Sequence, residues 1–196
     1  MTFEGIDGAG KTTQAGLLKE ALEAEGRDVL LTREPGGTPL GERLRDVLLG
    51  GGEMTPWAEA ALFAAARAEL VERVIAPTLE RGADVVADRY VDSSLAYQGI
   101  GRGLGVEPVL ELNLRATGGL LPDRTFLLLV EAGEAARRSN AEPDRIERAG
   151  SDFHDSVDRA YRELARIFPD RVIPLDGSRP AAELALEIRD RVRDLS

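Results

Sequence analysis

Gly5, Gly10, Lys11 and Thr12 stand in the pattern G-x-x-x-x-G-K-T, inside the stretch GIDGAGKTTQ at residues 5–14. Each residue type there suits an anionic ligand. Glycines at 5, 8 and 10 let backbone N–H groups turn inward as an anion-binding concavity, with Ala9 as the one other small residue among them. A helix opening near Lys11, through Thr12 and Thr13, would add its positive end. Lys11 would reach toward the β- and γ-phosphates of a nucleotide, and the Thr12 hydroxyl would hold Mg²⁺. Of the 25 basic residues only Lys11 and Lys19 are lysines, and a compact ammonium fits between phosphates where a guanidinium fork is too wide. A second group closes the run VVADRY at 85–90. Asp88 falls at the carboxyl end of an expected strand, where ligands bind in open α/β sheets, and could order the waters of Mg²⁺. Arg89 could hold a second phosphate; an ion pair capping the strand is the competing reading.

Elements of alternating type must position these groups. Near-continuous apolar runs predict buried parallel strands at 2–4, 28–32, 84–88, 125–130 and 172–175. Between them, helical patterns run over 12–24, 40–49, 56–81, 92–98, 108–118, 151–168 and 180–195. Strand and helix alternate, which predicts a three-layer α/β/α fold with a five-stranded parallel sheet in a single domain spanning 1–196. Only Met1 to Glu4 precede the glycine-rich loop, so the first strand is expected to be short in this chain.

Composition narrows the function. The 196 residues carry a formal net charge of −10, which argues against a general nucleic-acid surface. There are no cysteines and one histidine, His154, expected on a helix surface. With no apolar run of membrane-spanning length and no leader pattern, the chain reads as cytoplasmic. A GTPase would need an N-K-x-D segment to read guanine, yet no lysine follows Lys19.

An ordered series of segments carries a more specific signal: FEGIDGAGKTTQ at 3–14, TREPGGTPLGERLRDVLL at 32–49, LFAAARAE at 62–69, DRYVDSSLAYQG at 88–99, LPDRTFLLLV at 121–130 and PDRIE at 143–147. In this the chain resembles the thymidylate kinases, P-loop nucleoside monophosphate kinases that pass the γ-phosphoryl group of ATP to dTMP and so supply dTTP synthesis. The resemblance implies Mg²⁺ and ATP, and roles residue by residue. Phe63 would stack on thymine and Arg67 would donate to its O4 carbonyl; the two lie four apart, on one helix face. Ser94 and Gln98 would bond the base edge, and Tyr97 would pack under the deoxyribose. Asp7 matches a carboxylate near the acceptor's 3′-hydroxyl and phosphate. Arg45 and Arg89 would hold the dTMP phosphate, beside the defined turn made by Glu34, Pro35 and the glycines after them. Without the resemblance, Phe63 and Tyr97 would be core residues and Arg67 part of a solvated face.

The acceptor would be a phosphate monoester, already ionised near neutral pH, so positioning and charge neutralisation should carry the reaction rather than a strong base. Lys11, Asp7, Arg89 and arginines of a lid at about 134–149 form the expected catalytic set. The loop offers Gly8 and Ala9 and no arginine, which implies the family style in which the lid supplies it. Arg137 and Arg138 are the catalytic candidates there, and Arg145 the candidate for holding ATP. The resemblance further implies a homodimer through helices after the second and third strands, where residues 57–79 are apolar on more than one face. A kinase of another nucleotide or deoxynucleoside, and a nucleotide-binding protein without turnover, remain the alternatives.

Overall fold

Five short aliphatic runs pair side by side as β1 (Thr2–Glu4), β2 (Val29–Arg33), β3 (Asp84–Asp88), β4 (Thr125–Leu129) and β5 (Val172–Asp176). All neighbours are parallel, in the order β2-β3-β1-β4-β5. The computed structural model describes residues 1–138 and 144–195. β1 has three residues yet sits at the centre, with Phe3 opposite Asp88 on one side and Phe126 on the other. Both faces of the central strands are covered, which is why they read as unbroken apolar runs. Phe3 and Phe126 meet at 5.4 Å between ring centres inside this core.

The helices are α1 (Lys11–Ala24), α2 (Pro39–Gly50), α3 (Pro56–Leu70), α4 (Ala76–Glu80), α5 (Val91–Ser94), α6 (Val106–Thr117), α7 (Ala132–Arg138), α8 (Ser151–Ile167) and α9 (Ala181–Asp190). The path from β1 to β2 moves one way along the sheet, and every later crossover moves the other way. Right-handed crossovers therefore put α1 on one face and the helices of the later crossovers, α8 among them, on the other. α9 returns to pack on α1.

Strand ends agree with the sequence to within a residue or two. The helices differ more. The helix expected over 56–81 is α3 and α4 joined by a π-helical turn at Val71–Ile75. Pro77 explains it: the proline has no N–H to give to the carbonyl four residues back, and its ring crowds that carbonyl, so the preceding turn widens. A second π stretch, Leu95–Gly101, extends α5 beyond the expected 98. The final helix ends at Asp190 and a 3₁₀ turn, Arg193–Leu195, follows. α7 lies where only a lid was expected. Of that lid, residues 139–143, Asn140, Ala141, Glu142 and Pro143 among them, lie outside the described residues.

Candidate active site

The turn between β1 and α1 is the floor of a cavity of about 800 Å³ that also reaches the ends of β2, β3 and β5. Its backbone leaves Gly10 at φ 95 as the N-cap of α1, with no side chain capping the first turn. The free N–H groups of that turn make an anion site. Asp7, Gly8, Ala9, Gly10, Lys11, Thr12 and Thr13 all line the cavity. Gly5 lies deeper, its carbonyl accepting from Arg89 Nη1 at 3.1 Å. Lys11 Nζ donates to the Ile6 carbonyl at 2.9 Å and approaches Asp7 at 3.4 Å. Burial favours its neutral form and lowers its pKa, with Arg89 adding to that effect.

Thr12 and Asp88 meet at the same end: the Thr12 hydroxyl donates to Asp88 Oδ2 at 2.5 Å. Among the described residues no three acidic or histidine side chains cluster as a metal cage. A hydroxyl beside a single carboxylate, facing an anion site, is a donor set that suits Mg²⁺ brought in with a phosphate substrate, since Mg²⁺ keeps several waters and few protein ligands.

Arg89 follows Asp88 and is the one non-glycine residue at positive φ (73°) among those described. Strain of this kind persists where surroundings over-determine it, and here they do. Its guanidinium bonds Ser93 Oγ, the Tyr161 hydroxyl and Asp7, besides the Gly5 carbonyl. Burial opposes ionisation of Asp7, but Arg89 and then Lys11 outweigh it and hold its carboxyl far below the usual range. Behind Arg89 lies Glu4, fully buried, accepting from the backbone N–H groups of Tyr90 and Ser93 and from the hydroxyls of Ser93 and Tyr161. Burial, with Asp92 nearby, pushes the Glu4 pKa up to about 7. Glu4, Ser93 and Tyr161 escaped sequence reasoning; a carboxylate in a three-residue buried strand was the available signal, because a buried charge demands partners.

The far end of the cavity is built by α3, by α5 with its π stretch, and by the loop after β2. Phe63, Ser94, Tyr97 and Gln98 line it, with Glu34, Pro35 and Arg45 opposite. Arg45 donates to the Pro35 carbonyl at 2.9 Å. Tyr97 packs edge-on against Phe153 and Tyr161, with the Arg89 guanidinium over its ring. Gln98 donates through Nε2 to Glu59 at 2.9 Å.

Two of the expected site residues lie off the cavity lining. Arg67 is on neither a solvated face nor the cavity wall: it is 1% exposed and stands behind Ser94. Its guanidinium makes four hydrogen bonds, to Glu34, Ser94, Asn113 and the Tyr90 carbonyl, and its Nη2 is also ion-paired with Glu34 at 2.6 Å. Glu34 Oε1, by contrast, is buried with no partner among the described residues. Arg145, expected at ATP, is turned away from the phosphate end. It pairs with Glu59 at 2.7 Å and donates to the Leu48 carbonyl at 2.8 Å, a buried carboxylate outcompeting an open site.

The two remaining lid arginines part company. Arg137 is exposed and off the cavity, whereas Arg138 lines it and donates to the Gly177 carbonyl at 2.8 Å. The reason is α7, which rests directly on the phosphate loop. A Cβ placed at Gly8 would come within 2.1 Å of the Ala135 carbonyl oxygen. No side chain fits at position 8, so the arginine arrives from the helix above. Gly177 to Ala181 and Leu184 form the wall beyond it.

The chain has relatives among known proteins. A family model described as thymidylate kinase matches residues 3–188. The thymidylate kinase of Desulforudis audaxviator (strain MP104C) is 50% identical, covering 100% of this chain and 90% of its own length. That of Clavibacter michiganensis subsp. michiganensis (strain NCPPB 382) is 47% identical, with 100% and 94% covered. The crystal structure of thymidylate kinase from Ehrlichia chaffeensis superposes with a TM-score of 0.78 at 34% identity, covering 98% of this chain and 97% of that one.

Proposed function

This chain belongs to the thymidylate kinase family, and from that premise we propose how its cavity divides the work of the reaction. The chain transfers the γ-phosphoryl group of ATP to dTMP, giving dTDP and ADP. The observation that carries the division of roles is one continuous cavity with the phosphate loop at one end, Phe63, Ser94, Tyr97 and Gln98 at the other, and Arg89 with Asp7 between.

ATP enters with its phosphates on the N–H groups of residues 8–13 and its base along Gly177 to Ala181. Lys11 leaves the Ile6 carbonyl for the β- and γ-phosphates. Thr12 and Asp88 hold Mg²⁺, which when bound neutralises charge on the donor phosphates. dTMP lies with thymine against Phe63 and its sugar over Tyr97, where a 2′-hydroxyl would crowd the ring. Ser94 and Gln98 read the base edge, and Arg67 acts through Ser94 rather than by touch. Glu34 Oε1 accepts from the nucleotide or a water beside it. Arg45 and Arg89 hold the acceptor phosphate; Asp7 keeps Arg89 aimed. An oxygen of that phosphate bonds the γ-phosphorus as the bond to the β-phosphate oxygen breaks. Arg138 neutralises the moving group from above, where α7 also keeps water from the loop.

The same reading includes one kinase unit with a lid at about 134–149, a cytoplasmic setting and a homodimer. Trp57 and Val47, about half exposed on α3 and α2, support the last; sedimentation at a mass of one chain would remove it. No helix among the described residues is long and apolar enough to cross a membrane. Coupled ADP release with ATP, Mg²⁺ and dTMP, dUMP, UMP, CMP or AMP in turn tests the whole. Strong preference for dTMP is expected, and preference for a ribonucleotide would reassign the acceptor end.

A further inference from the structure

Glu59, on α3, is 1% exposed and does not itself line the cavity, yet four donor atoms of three residues converge on it. Gln98 Nε2 reaches Oε1 at 2.9 Å, Arg102 bonds at 3.2 and 3.3 Å, and Arg145 pairs at 2.7 Å. Burial opposes its charge, but the bonds from Gln98, Arg102 and Arg145 outweigh burial and hold the carboxyl below the usual range. An ionised carboxylate only accepts hydrogen bonds. Gln98 must therefore turn its NH₂ toward Glu59 and its Oε1 the other way, and Gln98 is a wall residue of the acceptor end.

We propose that Glu59 is a specificity-positioning residue: by fixing the Gln98 amide it presents an acceptor to the base, selecting pyrimidines that carry N3–H and rejecting those whose N3 is a bare acceptor. This rests on the reading of the acceptor end given above. Thymine donates from N3; cytosine has a lone pair there, which would face Oε1 with no proton between them. Were the amide free to turn, its NH₂ would serve cytosine equally well. Phe63 and Tyr97 hold flat pyrimidines of either kind, so polarity at this one atom separates them. Arg145 and Arg102 contribute by keeping Glu59 charged, which ties the segment returning from the lid to the same carboxylate.

The test is the ratio of kcat/KM for dTMP to that for dCMP. In Glu59→Gln the side chain keeps its shape but can donate or accept, so the Gln98 amide is released. The ratio is expected to fall about ten- to hundredfold, with the KM for ATP within about twofold. The exchange variant Glu59→Gln with Gln98→Glu keeps the net charge and places an acceptor-only group at 98. It is expected to return the ratio to within about threefold of the original. If Glu59→Gln is too unstable to assay, the exchange variant decides alone: a retained ratio supports the proposal and a collapsed one overturns it. Parallel loss with both nucleotides in Glu59→Gln, at an unchanged ratio, overturns it by showing a purely structural role. Wild-type protein that turned over neither nucleotide would instead sink the reading of the acceptor end itself.

Discussion

Arg67 ties several elements together through one buried side chain. Its planar fork satisfies Glu34, Ser94, Asn113 and the Tyr90 carbonyl together, which joins the loop after β2, α5 and α6 to α3. Lysine has three rotatable donors and no fork, so it cannot replace these bonds. Removing one partner of a buried ion pair typically costs about 3–5 kcal/mol, because the remaining charge is left unpaired. Here that charge is Glu34, already short of one partner. Arg67→Lys is therefore expected to lower the melting temperature by roughly 10 °C and to raise the KM for dTMP about tenfold or more by releasing Ser94. The KM for ATP should stay within about twofold, since the phosphate loop makes no bond to this group. Equal changes in both KM values would show that Arg67 stiffens the whole molecule rather than the acceptor end.

At the scale of the element, α7 is seated on the phosphate loop at Gly8. Gly8→Ala puts a Cβ into the Ala135 carbonyl at a φ of 81°, which L side chains rarely adopt. α7 must lift, drawing Arg138 off the cavity, and kcat is expected to fall about tenfold or more. Gly133→Ala, in the same helix, meets only Arg137 Nη1 at 3.7 Å and should leave kcat unchanged while firming the helix by about 0.5 kcal/mol. Similar kcat losses in both would refute the seating of α7 as the cause. The contrast also marks what the sequence could reveal. The strands, the phosphate loop, and the fourfold spacing of Phe63 and Arg67 were legible because each is a local pattern. Glu59, four before Phe63 on the same helix, went unread because nothing local gave it a task. α7 was missed because seven residues ending in two arginines carry too little periodicity. The pairing of Arg145 with Glu59 was not legible, because that partner lies in a helix far upstream and burial of a distant carboxylate leaves no mark on the neighbouring sequence. Pro77 stands inside the helix expected over 56–81, and the widening of the turn before it went unread.

At the scale of the molecule, charge is concentrated where the sheet meets the cavity, and Glu4 makes folding there pH-dependent. The group faces Arg89, Ser93, Tyr161 and Asp92, with Asp7 and Lys11 on the adjoining loop. Its pKa in the folded chain, about 7, exceeds the ordinary 4.5. The folded state thus binds this proton more tightly than the unfolded state. The stability it lends is fully present below pH 4.5 and is lost as pH rises through 7. The span corresponds to about 3 kcal/mol. Asp7 runs oppositely: its carboxyl is held ionised, and the stability it lends is lost only in strong acid, outside this window. Glutamine at position 4 stays neutral throughout, keeps an oxygen for the Tyr90 and Ser93 N–H groups, and can donate to the two hydroxyls. Glu4→Gln should therefore be comparable to the wild type in melting temperature at pH 5 and higher by about 5–10 °C at pH 8.5. Its kcat at pH 8 should fall, because the carboxylate no longer helps set Ser93 and Tyr161 around Arg89. Calorimetric melting curves that stay parallel between pH 5 and 8.5 would show that Glu4 is ionised across the whole range.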